Sequence, residues 1–364
     1  MWPRMAYVFA DAPRRIYWEI TRACSLACRH CRAEAQRVAA KGELTTDEGL
    51  ALLDALAGFG EPLPHLVLTG GDPLERADLM TLLARANDIG FDVSLSPAAT
   101  PLLSPERLVA LKGAGVAAMS LSLDGSTAAL HDGLRGVPGT YARTLESARR
   151  IVSAKIPLQI NTLVTVDTAE DLEAIDRVVT AIGAQRWSLF FLVTVGRGKL
   201  LRQLTPGMCE ALFSWILARS ARPGPIITTT EAPHYRRVLL EHKRRAGHGD
   251  LPLADGGRAR AAAHRSAFGI RDGNGILFVG HDGDVCPSGF LPLVAGNVRT
   301  ESPVRIYRDA PLFRSLRDTR AFAGKCGVCE YHDVCGGSRA RAWSATGSPV
   351  ASDPLCLHEP AGPL

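Results

Sequence analysis

The chain has 364 residues, of which 46% are hydrophobic, so it can bury the core of one large domain or of a domain with a smaller companion. Its 42 basic and 37 acidic residues leave a net charge of +5, which is too small and too dispersed to indicate a nucleic acid or a membrane surface as partner. The chain has no apolar run long enough for a signal peptide or a membrane span, which predicts a cytoplasmic protein.

Short β-rich runs alternate with amphipathic helical stretches along the first two thirds of the chain. The predicted strands are 16–21, 65–69, 91–96, 119–124, 158–165 and 187–193. Thr45 or Thr46 is a predicted cap of the first helix, Pro105 begins another, and Gly113 or Gly183 can end a helix. Six strand-helix units in a row predict an α/β fold with a parallel sheet covered by helices.

In such sheets the functional residues lie at the carboxyl ends of the strands. Residues with binding potential lie within, at the end of or directly after five of the six predicted strands here. They are Cys24, Gly70, Gly71, Asp72, Pro73, Ser122, Asp124, Asn161 and Arg197. The sequence therefore predicts a site at this edge of the sheet.

The strand-helix alternation ends near residue 222. Residues 223–274 are rich in Pro, Gly, Ala and Arg, which predicts a helix followed by a mobile or ligand-ordered connection. Alternating apolar residues around the turn at 281–284 then predict a hairpin. The predicted organisation is an extension at 1–15, the α/β domain at 16–222, the connection at 223–274 and a small cysteine-rich module at 275–364.

Nine cysteines in a reducing compartment are expected to serve metal or redox chemistry rather than disulfides. Cys24, Cys28 and Cys31 have the spacing C-x3-C-x2-C. Three thiolates can bind three irons of a [4Fe-4S] cluster and leave the fourth iron open to a small molecule. Zinc is the alternative, but a structural zinc site needs a fourth ligand, and His30 lies between two of the cysteines, where it would strain a tetrahedral site.

These cysteines, with His30 at an aromatic position, resemble the signature C-x3-C-x-aromatic-C of the radical S-adenosylmethionine (SAM) enzymes. The resemblance implies a partial (β/α)6 barrel and a cluster whose open iron binds the amino and carboxylate groups of SAM. It also implies that a 5′-deoxyadenosyl radical abstracts a hydrogen atom from the substrate. The catalytic residues beyond the cofactor site stay unassigned.

The resemblance extends to the SAM contacts. Residues 69–73 are similar to the glycine-rich motif that contacts the SAM amino group, although an ordinary strand-helix turn is the alternative. The implied cofactor-binding residues are His30, Gly70, Gly71, Asp72, Pro73, Ser122, Asp124, Asn161 and Arg197.

A second group of cysteines lies near the chain end and consists of Cys326, Cys329, Cys335 and Cys356. Its spacing resembles the SPASM module of radical SAM enzymes, which binds two auxiliary clusters. Two cysteines of that pattern are replaced here, by Glu301 and Arg339, and both belong to the same cluster. We therefore expect two [4Fe-4S] clusters in total, with Cys286 unligated beside the outer one. A zinc site on the same four cysteines is the alternative, and Cys209 is expected in the apolar core.

Residues 122–125, 131–136 and 196–198, together with the chain end, most resemble the radical SAM branch that modifies tetrapyrroles. This resemblance implies a reaction such as oxidative decarboxylation of an iron-coproporphyrin propionate. The basic run 242–271 can pair with propionates, with a solvated linker as the simpler interpretation, and His264 is a conjectural axial iron ligand.

Two alternatives stay open for the function. One is a maturase of a ribosomally made peptide, although many of these have an N-terminal leader-binding domain and only about 15 residues precede the first predicted strand. The other is a non-enzymatic scaffold or electron carrier, which would need no SAM site. The implied partners are SAM, a tetrapyrrole or peptide substrate, and an electron donor such as flavodoxin or ferredoxin.

Overall fold

The computed structural model describes residues 8–245 and 269–361. The strands are β1 (Arg15–Thr21), β2 (His65–Gly70), β3 (Val93–Leu95), β4 (Ala118–Ser122), β5 (Leu158–Val164), β6 (Arg186–Phe191), β7 (Ile226–Thr230), β8 (Ile276–Val279), β9 (Asp284–Cys286) and β10 (Gly296–Asn297). The helices of the first part are α1 (Thr46–Leu56), α2 (Leu79–Ile89), α3 (Pro105–Gly113), α4 (Ala128–Arg135), α5 (Thr140–Ser153), α6 (Val166–Ala169), α7 (Leu172–Ile182), α8 (Pro206–Ser220) and α9 (Tyr235–Arg245). Those of the last part are α10 (Pro303–Asp309), α11 (Pro311–Arg317), α12 (Gly324–Gly327) and α13 (Arg339–Thr346).

The strands form one sheet in the order β10-β9-β8-β1-β2-β3-β4-β5-β6-β7. Strands β1 to β7 are neighbours in chain order and all run parallel. This arrangement confirms the predicted parallel α/β fold with its six strand-helix units. Strand β8 adds in parallel to the free edge of β1, and β9 and β10 continue from it in antiparallel pairs. The C-terminal segment thus begins by extending the barrel sheet.

Strand β7 was not predicted, and the expectation that the alternation ends near residue 222 was wrong by one strand. The sequence of β7 is IITTT, so only its first two residues are apolar and the period-two pattern of a half-buried strand is missing. The hairpin predicted at 275–289 is confirmed by the pairing of β8 with β9. The predicted helix of the connecting segment is confirmed by α9, whereas the rest of that connection and His264 lie outside the described residues.

Local sequence signals determine where several helices begin and end. Thr45 caps α1 in a reciprocal capping box with Glu48, and Ser104 caps α3 with Pro105 at its first position. Helix α7 ends at Gly183, which adopts a left-handed conformation that glycine accepts without strain.

Burial alternates along the central strands, because one face of the sheet packs under the helices. Ile16, Trp18 and Ile20 on β1 are fully buried in the main core, and Cys209 on α8 is also a core residue, as predicted. The opposite face carries polar side chains. There the Ser120 hydroxyl on β4 donates a hydrogen bond at 2.7 Å to the hydroxyl of Ser96, which directly follows β3. None of the helices in the described ranges is long and apolar enough to cross a membrane.

Candidate active site

The first cysteine group lies in the loop that follows β1. The loop closes on itself near its ends, because the Cys24 N–H donates to the Gln36 carbonyl at 2.7 Å and the Gln36 N–H donates to the Arg22 carbonyl at 3.0 Å. All three cysteines of this group line one cavity of about 210 Å³ at the carboxyl ends of the parallel strands. The site therefore lies where a parallel α/β sheet is expected to carry it.

Three turns from different strand-helix units hold the cysteine loop, and each has a glycine at the contact. A Cβ atom on Gly71 would lie 2.3 Å from the Ala23 carbonyl oxygen. On Gly136 it would lie 2.6 Å from the corresponding oxygen of Ala27, and on Gly196 2.6 Å from that of Cys31. These approaches are too close for any side chain, so the glycines allow the backbone to touch the loop. The Gly-Gly turn after β2 thus has a packing function as well as a place at the cavity.

Each sulfur of the loop accepts a hydrogen bond. The Leu26 N–H donates to Cys24 Sγ at 3.4 Å, the Ala35 N–H to Cys31 Sγ at 3.3 Å, and Arg135 Nη1 to Cys28 Sγ at 3.7 Å. Burial raises the pKa of the Cys24 thiol to about 12, so this group stays protonated at neutral pH unless a metal binds it. Hydrogen bonds to all three sulfurs suit thiolate ligands of a metal cluster.

Most of the residues predicted to contact the cofactor line the same cavity as the cysteines. They are His30, Gly70, Gly71, Ser122, Asp124, Asn161 and Arg197. These residues come from the cysteine loop, from the ends of β2 and β4, from the middle of β5 and from the turn after β6. The topology brings them together although they span 168 positions, from residue 30 to residue 197.

Asp72 and Pro73 do not line this cavity, in contrast to the expectation that both contact the cofactor. The Asp72 side chain is fully buried and accepts hydrogen bonds from the Leu74 N–H, the Ala98 N–H and the Thr100 hydroxyl. Burial raises the pKa of Asp72 to about 6, and these hydrogen bonds oppose the rise. The carboxylate therefore ties the turn after β2 to the loop after β3 and shapes the cavity indirectly.

Asp124 has its carboxylate engaged by protein groups. One oxygen accepts the Leu163 N–H at 2.7 Å, and the other forms an ion pair with Arg135. Burial acts to raise the pKa of Asp124, but the positive charge of Arg135 outweighs it, and the pKa is lowered. Asp124 is thus a charged partner that fixes Arg135 beside Cys28.

Arg135 is a site residue that the sequence reasoning missed. It lies at the end of α4 and lines the cavity with His131, one helical turn earlier. Its Nε atom is buried and has no hydrogen-bond partner among the described residues. The available signal in the sequence was the i, i+4 spacing of His131 and Arg135, which places both side chains on one face of a helix. This helix follows a strand end that was already expected to contribute to the site.

His30 is uncharged at neutral pH. Burial is the main reason that its pKa is lowered to about 4, and the nearby Arg135 charge adds to the effect. Its Nδ1 atom has no hydrogen-bond partner within the described ranges. A neutral imidazole at the cavity wall can pack against a flat aromatic group without the cost of burying a charge.

The cavity also has an apolar wall, which the sequence reasoning did not identify. The wall consists of Leu163, Phe190, Phe191, Leu192, Val193 and Phe290. The rings of Phe190 and Phe290 lie 6.3 Å apart between centroids. Phe290 belongs to the segment after β9, so the C-terminal part of the chain covers one side of the cavity.

Two arginines lie at the border of this cavity besides Arg135. Arg32 forms an ion pair with Glu19 at 3.0 Å and lies 4.7 Å above the Phe278 ring centroid. Arg197 donates to the Ala35 carbonyl at 3.4 Å. The cavity thus combines aromatic surface with fixed positive charge.

The four C-terminal cysteines lie close to one another. Their thiols influence each other electrostatically: Cys326 acts to raise the pKa of the Cys329, Cys335 and Cys356 thiols, although burial is the larger cause in each case. Cys286 has different surroundings, because the charged groups acting on it are Asp284, Asp282, Arg32 and Glu19. It therefore lies against the cysteine loop of the barrel.

Comparison with known proteins gives a consistent result. Residues 18–179 match the sequence profile of the Radical SAM superfamily. The chain is 38% identical to "AdoMet-dependent heme synthase" of Oleidesulfovibrio alaskensis over 98% of its own length and 90% of that protein. It is 37% identical to the protein of the same name from Methanosarcina barkeri, over 96% and 98% of the two chains. Among solved structures, Streptococcus suis SuiB bound to S-adenosylmethionine superposes with a TM-score of 0.70 at 17% identity, covering 96% of this chain and 78% of that one, which is a similarity of fold.

Proposed function

Because the chain belongs to the radical SAM superfamily and is an enzyme, we propose that its substrate is a tetrapyrrole whose side chains it modifies. The observation that carries this proposal is the 38% identity, over nearly the whole chain, with a protein named for haem synthesis. Substrate choice among radical SAM enzymes depends on the site rather than on the shared fold. The surface of the cavity must therefore suit the proposed substrate.

The cavity of about 210 Å³ holds only part of an iron-coproporphyrin, and its border offers two features that suit this substrate. The aromatic rings of Phe190 and Phe290 offer a surface on which a flat macrocycle can pack. The guanidinium groups of Arg32 and of Arg197, which was expected to contact the cofactor, can bind propionate carboxylates through paired N–H donors, at the cost of the existing ion pair of Arg32. A cavity with apolar walls and a few cations is the expected form of a site for an amphipathic dianion or polyanion.

The superfamily uses SAM and one [4Fe-4S] cluster, and we assign Cys24, Cys28 and Cys31 as the ligands of that cluster. The donor set fits, since three thiols share one cavity and each sulfur accepts a hydrogen bond. When bound, the cluster and SAM supply the 5′-deoxyadenosyl radical that abstracts a substrate hydrogen atom.

The residues around the cysteine loop bind and orient SAM in this proposal. Gly70 and Gly71 let the backbone reach the amino group, and His30 packs near the adenine. Ser122 and Asn161 face the cavity from neighbouring strands in register and offer hydrogen bonds. Asp72 holds the turn after β2 to the loop after β3, and the expected contacts of Asp72 and Pro73 with SAM stay predictions.

Arg135 extends this assignment beyond the residues expected from the sequence. Its Nε–H group lacks a partner in the described ranges, and the guanidinium already touches Cys28. A carboxylate that approaches the open iron would meet this cation, so we assign Arg135 to the SAM carboxylate. Asp124 then acts through Arg135, as its ion-pair partner.

We assign a second, outer [4Fe-4S] cluster to Cys326, Cys329, Cys335 and Cys356. Three of these sulfurs accept N–H groups at 3.4 Å, from Arg339 to Cys326, from Tyr331 to Cys329 and from Gly337 to Cys335. Zinc is the competing metal, because the ligand atoms of Cys329, Glu330 and His358 lie within 4.8 Å of one another. Elemental analysis distinguishes the two metals.

Three residues stand at positions that a second auxiliary cluster would use for its ligands. Their surroundings agree with a single auxiliary cluster. Glu301 forms an ion pair with Arg305 at 3.2 Å, and both side chains are exposed. Cys286 lies near Arg32 on the barrel side, and Arg339 contacts Cys326. A second auxiliary cluster would therefore find one thiol ligand, that of Cys286, at these three positions.

In the proposed reaction a propionate gives up a hydrogen atom to the 5′-deoxyadenosyl radical, releases carbon dioxide and loses one electron, and a vinyl group remains. The electron would pass to an acceptor, for which the outer cluster assigned above is the candidate within this chain. An external electron donor, such as flavodoxin or ferredoxin, is needed to reduce the cluster that meets SAM. The chain's own residues position the propionate and exclude water with the aromatic wall.

Titration with iron-coproporphyrin tests this substrate class. We expect a shift of the Soret band with half-saturation at micromolar concentration, and we expect Phe290→Ala to weaken binding at least tenfold, about 1.4 kcal/mol, because the macrocycle loses an aromatic contact. Val109→Ala is the matched control, since Val109 is 73% exposed and outside the cavity. A chain that binds SAM but gives no Soret shift would favour the peptide maturase.

A further inference from the structure

One positively charged side chain at the outer cysteine group has no role in the reaction proposed above. Arg339 is the first residue of α13 and its side chain is fully buried. The spacing of the SPASM pattern places a cysteine at this position. The structure therefore shows what occupies the place of the missing ligand, and the contacts of Arg339 indicate a specific role.

The Arg339 guanidinium is fixed from three sides. Nη1 donates to the Ala351 carbonyl at 2.6 Å and Nε to the Gly337 carbonyl at 3.3 Å. The Arg339 Cζ atom lies 4.5 Å from the Phe322 ring centroid. These contacts leave Nη2 directed at Cys326 Sγ, at 3.4 Å. Three restraints on one side chain give this N–H···S hydrogen bond a defined geometry.

The backbone around Arg339 makes room for this contact. Gly337 has a φ angle of +65°, and a Cβ atom there would lie 2.5 Å from Arg339 Nη2 and 3.1 Å from Cys326 Sγ. Only glycine accepts this conformation and leaves the space free. The turn between Cys335 and α13 is thus built so that a guanidinium can reach the sulfur.

Arg339 belongs to a group of buried cations around the cysteines. Arg271 lies 5.3 Å from the same Phe322 ring, and Arg236 donates to the carbonyls of Val334 and Ile270. Within residues 8–245 and 269–361, neither these two arginines nor Arg339 forms an ion pair with a carboxylate. Burial lowers the pKa of Arg271 to about 10, and the neighbouring charge of Arg339 adds to this effect.

We propose that Arg339 is a positioning residue that raises the reduction potential of the outer cluster through its hydrogen bond to Cys326. The inference rests on the proposed outer cluster. The reduced cluster has one more negative charge than the oxidised one, so a cation and an N–H donor at a ligand sulfur stabilise the reduced form more. The chain thereby replaces a cluster ligand with a group that tunes the remaining auxiliary cluster.

The experiment uses the full chain with Cys24, Cys28 and Cys31 all replaced by alanine, so that only the outer cluster remains. In protein labelled with ¹⁵N-arginine, pulsed EPR of the reduced cluster is expected to show a nitrogen coupling. Arg339→Gln should remove that coupling and lower the midpoint potential by at least 59 mV, a tenfold change in the ratio of reduced to oxidised cluster. Arg320→Gln is the matched control, because the Arg320 side chain is 87% exposed, and it should change neither quantity.

Each outcome decides a separate question. A cluster that assembles in Arg339→Gln with an unchanged midpoint potential overturns the inference. If that variant binds no iron, the nitrogen coupling measured in the triple variant with Arg339 intact decides the question. The absence of this coupling overturns the inference as well. A triple variant without iron would instead refute the outer cluster itself, whereas the radical SAM assignment would be untouched.

Discussion

Cys28→Ala is expected to abolish the formation of 5′-deoxyadenosine from SAM. The change removes one of three cluster ligands and also the sulfur that contacts Arg135. With two protein ligands left, the cluster loses both its fixed position and the cation that we assign to the SAM carboxylate. The measurement is chromatographic quantification of 5′-deoxyadenosine after anaerobic reconstitution and reduction with dithionite.

The control for this variant is Cys209→Ala, which removes a thiol of similar burial from the apolar core. It should retain SAM cleavage with at most a modest loss of stability. Turnover in Cys28→Ala comparable to that of the unchanged chain would contradict the assignment of the cysteine loop as the cluster site.

Cys335→Ala is expected to lower the iron content from about eight to about four per chain, because each [4Fe-4S] cluster contributes four irons. SAM cleavage without substrate should continue, since the cysteine loop of the barrel is unchanged. Conversion of substrate should stop if the outer cluster takes part in the reaction. Iron analysis, zinc analysis and EPR of the reduced protein provide the measurement.

Cys286→Ala is the matched control for the outer cluster. Its thiol is as buried as that of Cys335, but it lies among Asp284, Arg32 and Glu19. The iron content of this variant should stay near eight. A value near twelve in the unchanged chain would show that a further cluster binds despite Glu301 and Arg339.

The sequence predicted most of the fold because its strands and helices have clear periodic patterns. The six strand-helix units and the C-terminal hairpin were found from alternation of apolar residues and from helix caps such as Thr45. Strand β7 escaped because three threonines replace the apolar positions of its second half. The alternation of apolar and polar residues along a strand indicates which face is buried. A strand with polar residues on both faces therefore gives no such signal.

The site was predictable where a residue type is required by chemistry. Thiols at a strand end and glycines at turns can be recognised from spacing alone. Phe290 could not, because a phenylalanine in a loop has many ordinary roles, and Arg135 had only the weak signal of its i, i+4 spacing with His131. Asp72 lies outside the cavity lining and its carboxylate joins two loops, so its expected contact with the cofactor stays a prediction.

Incubation of the reconstituted enzyme with SAM, dithionite and iron-coproporphyrin deuterated at the propionate β-carbons tests the central proposal most directly. We predict that mass spectrometry will show the porphyrin losing carbon dioxide and two hydrogen equivalents for each vinyl group formed. One deuterium should appear in 5′-deoxyadenosine for each of these events. Formation of unlabelled 5′-deoxyadenosine with unchanged iron-coproporphyrin would contradict the account and exclude this substrate.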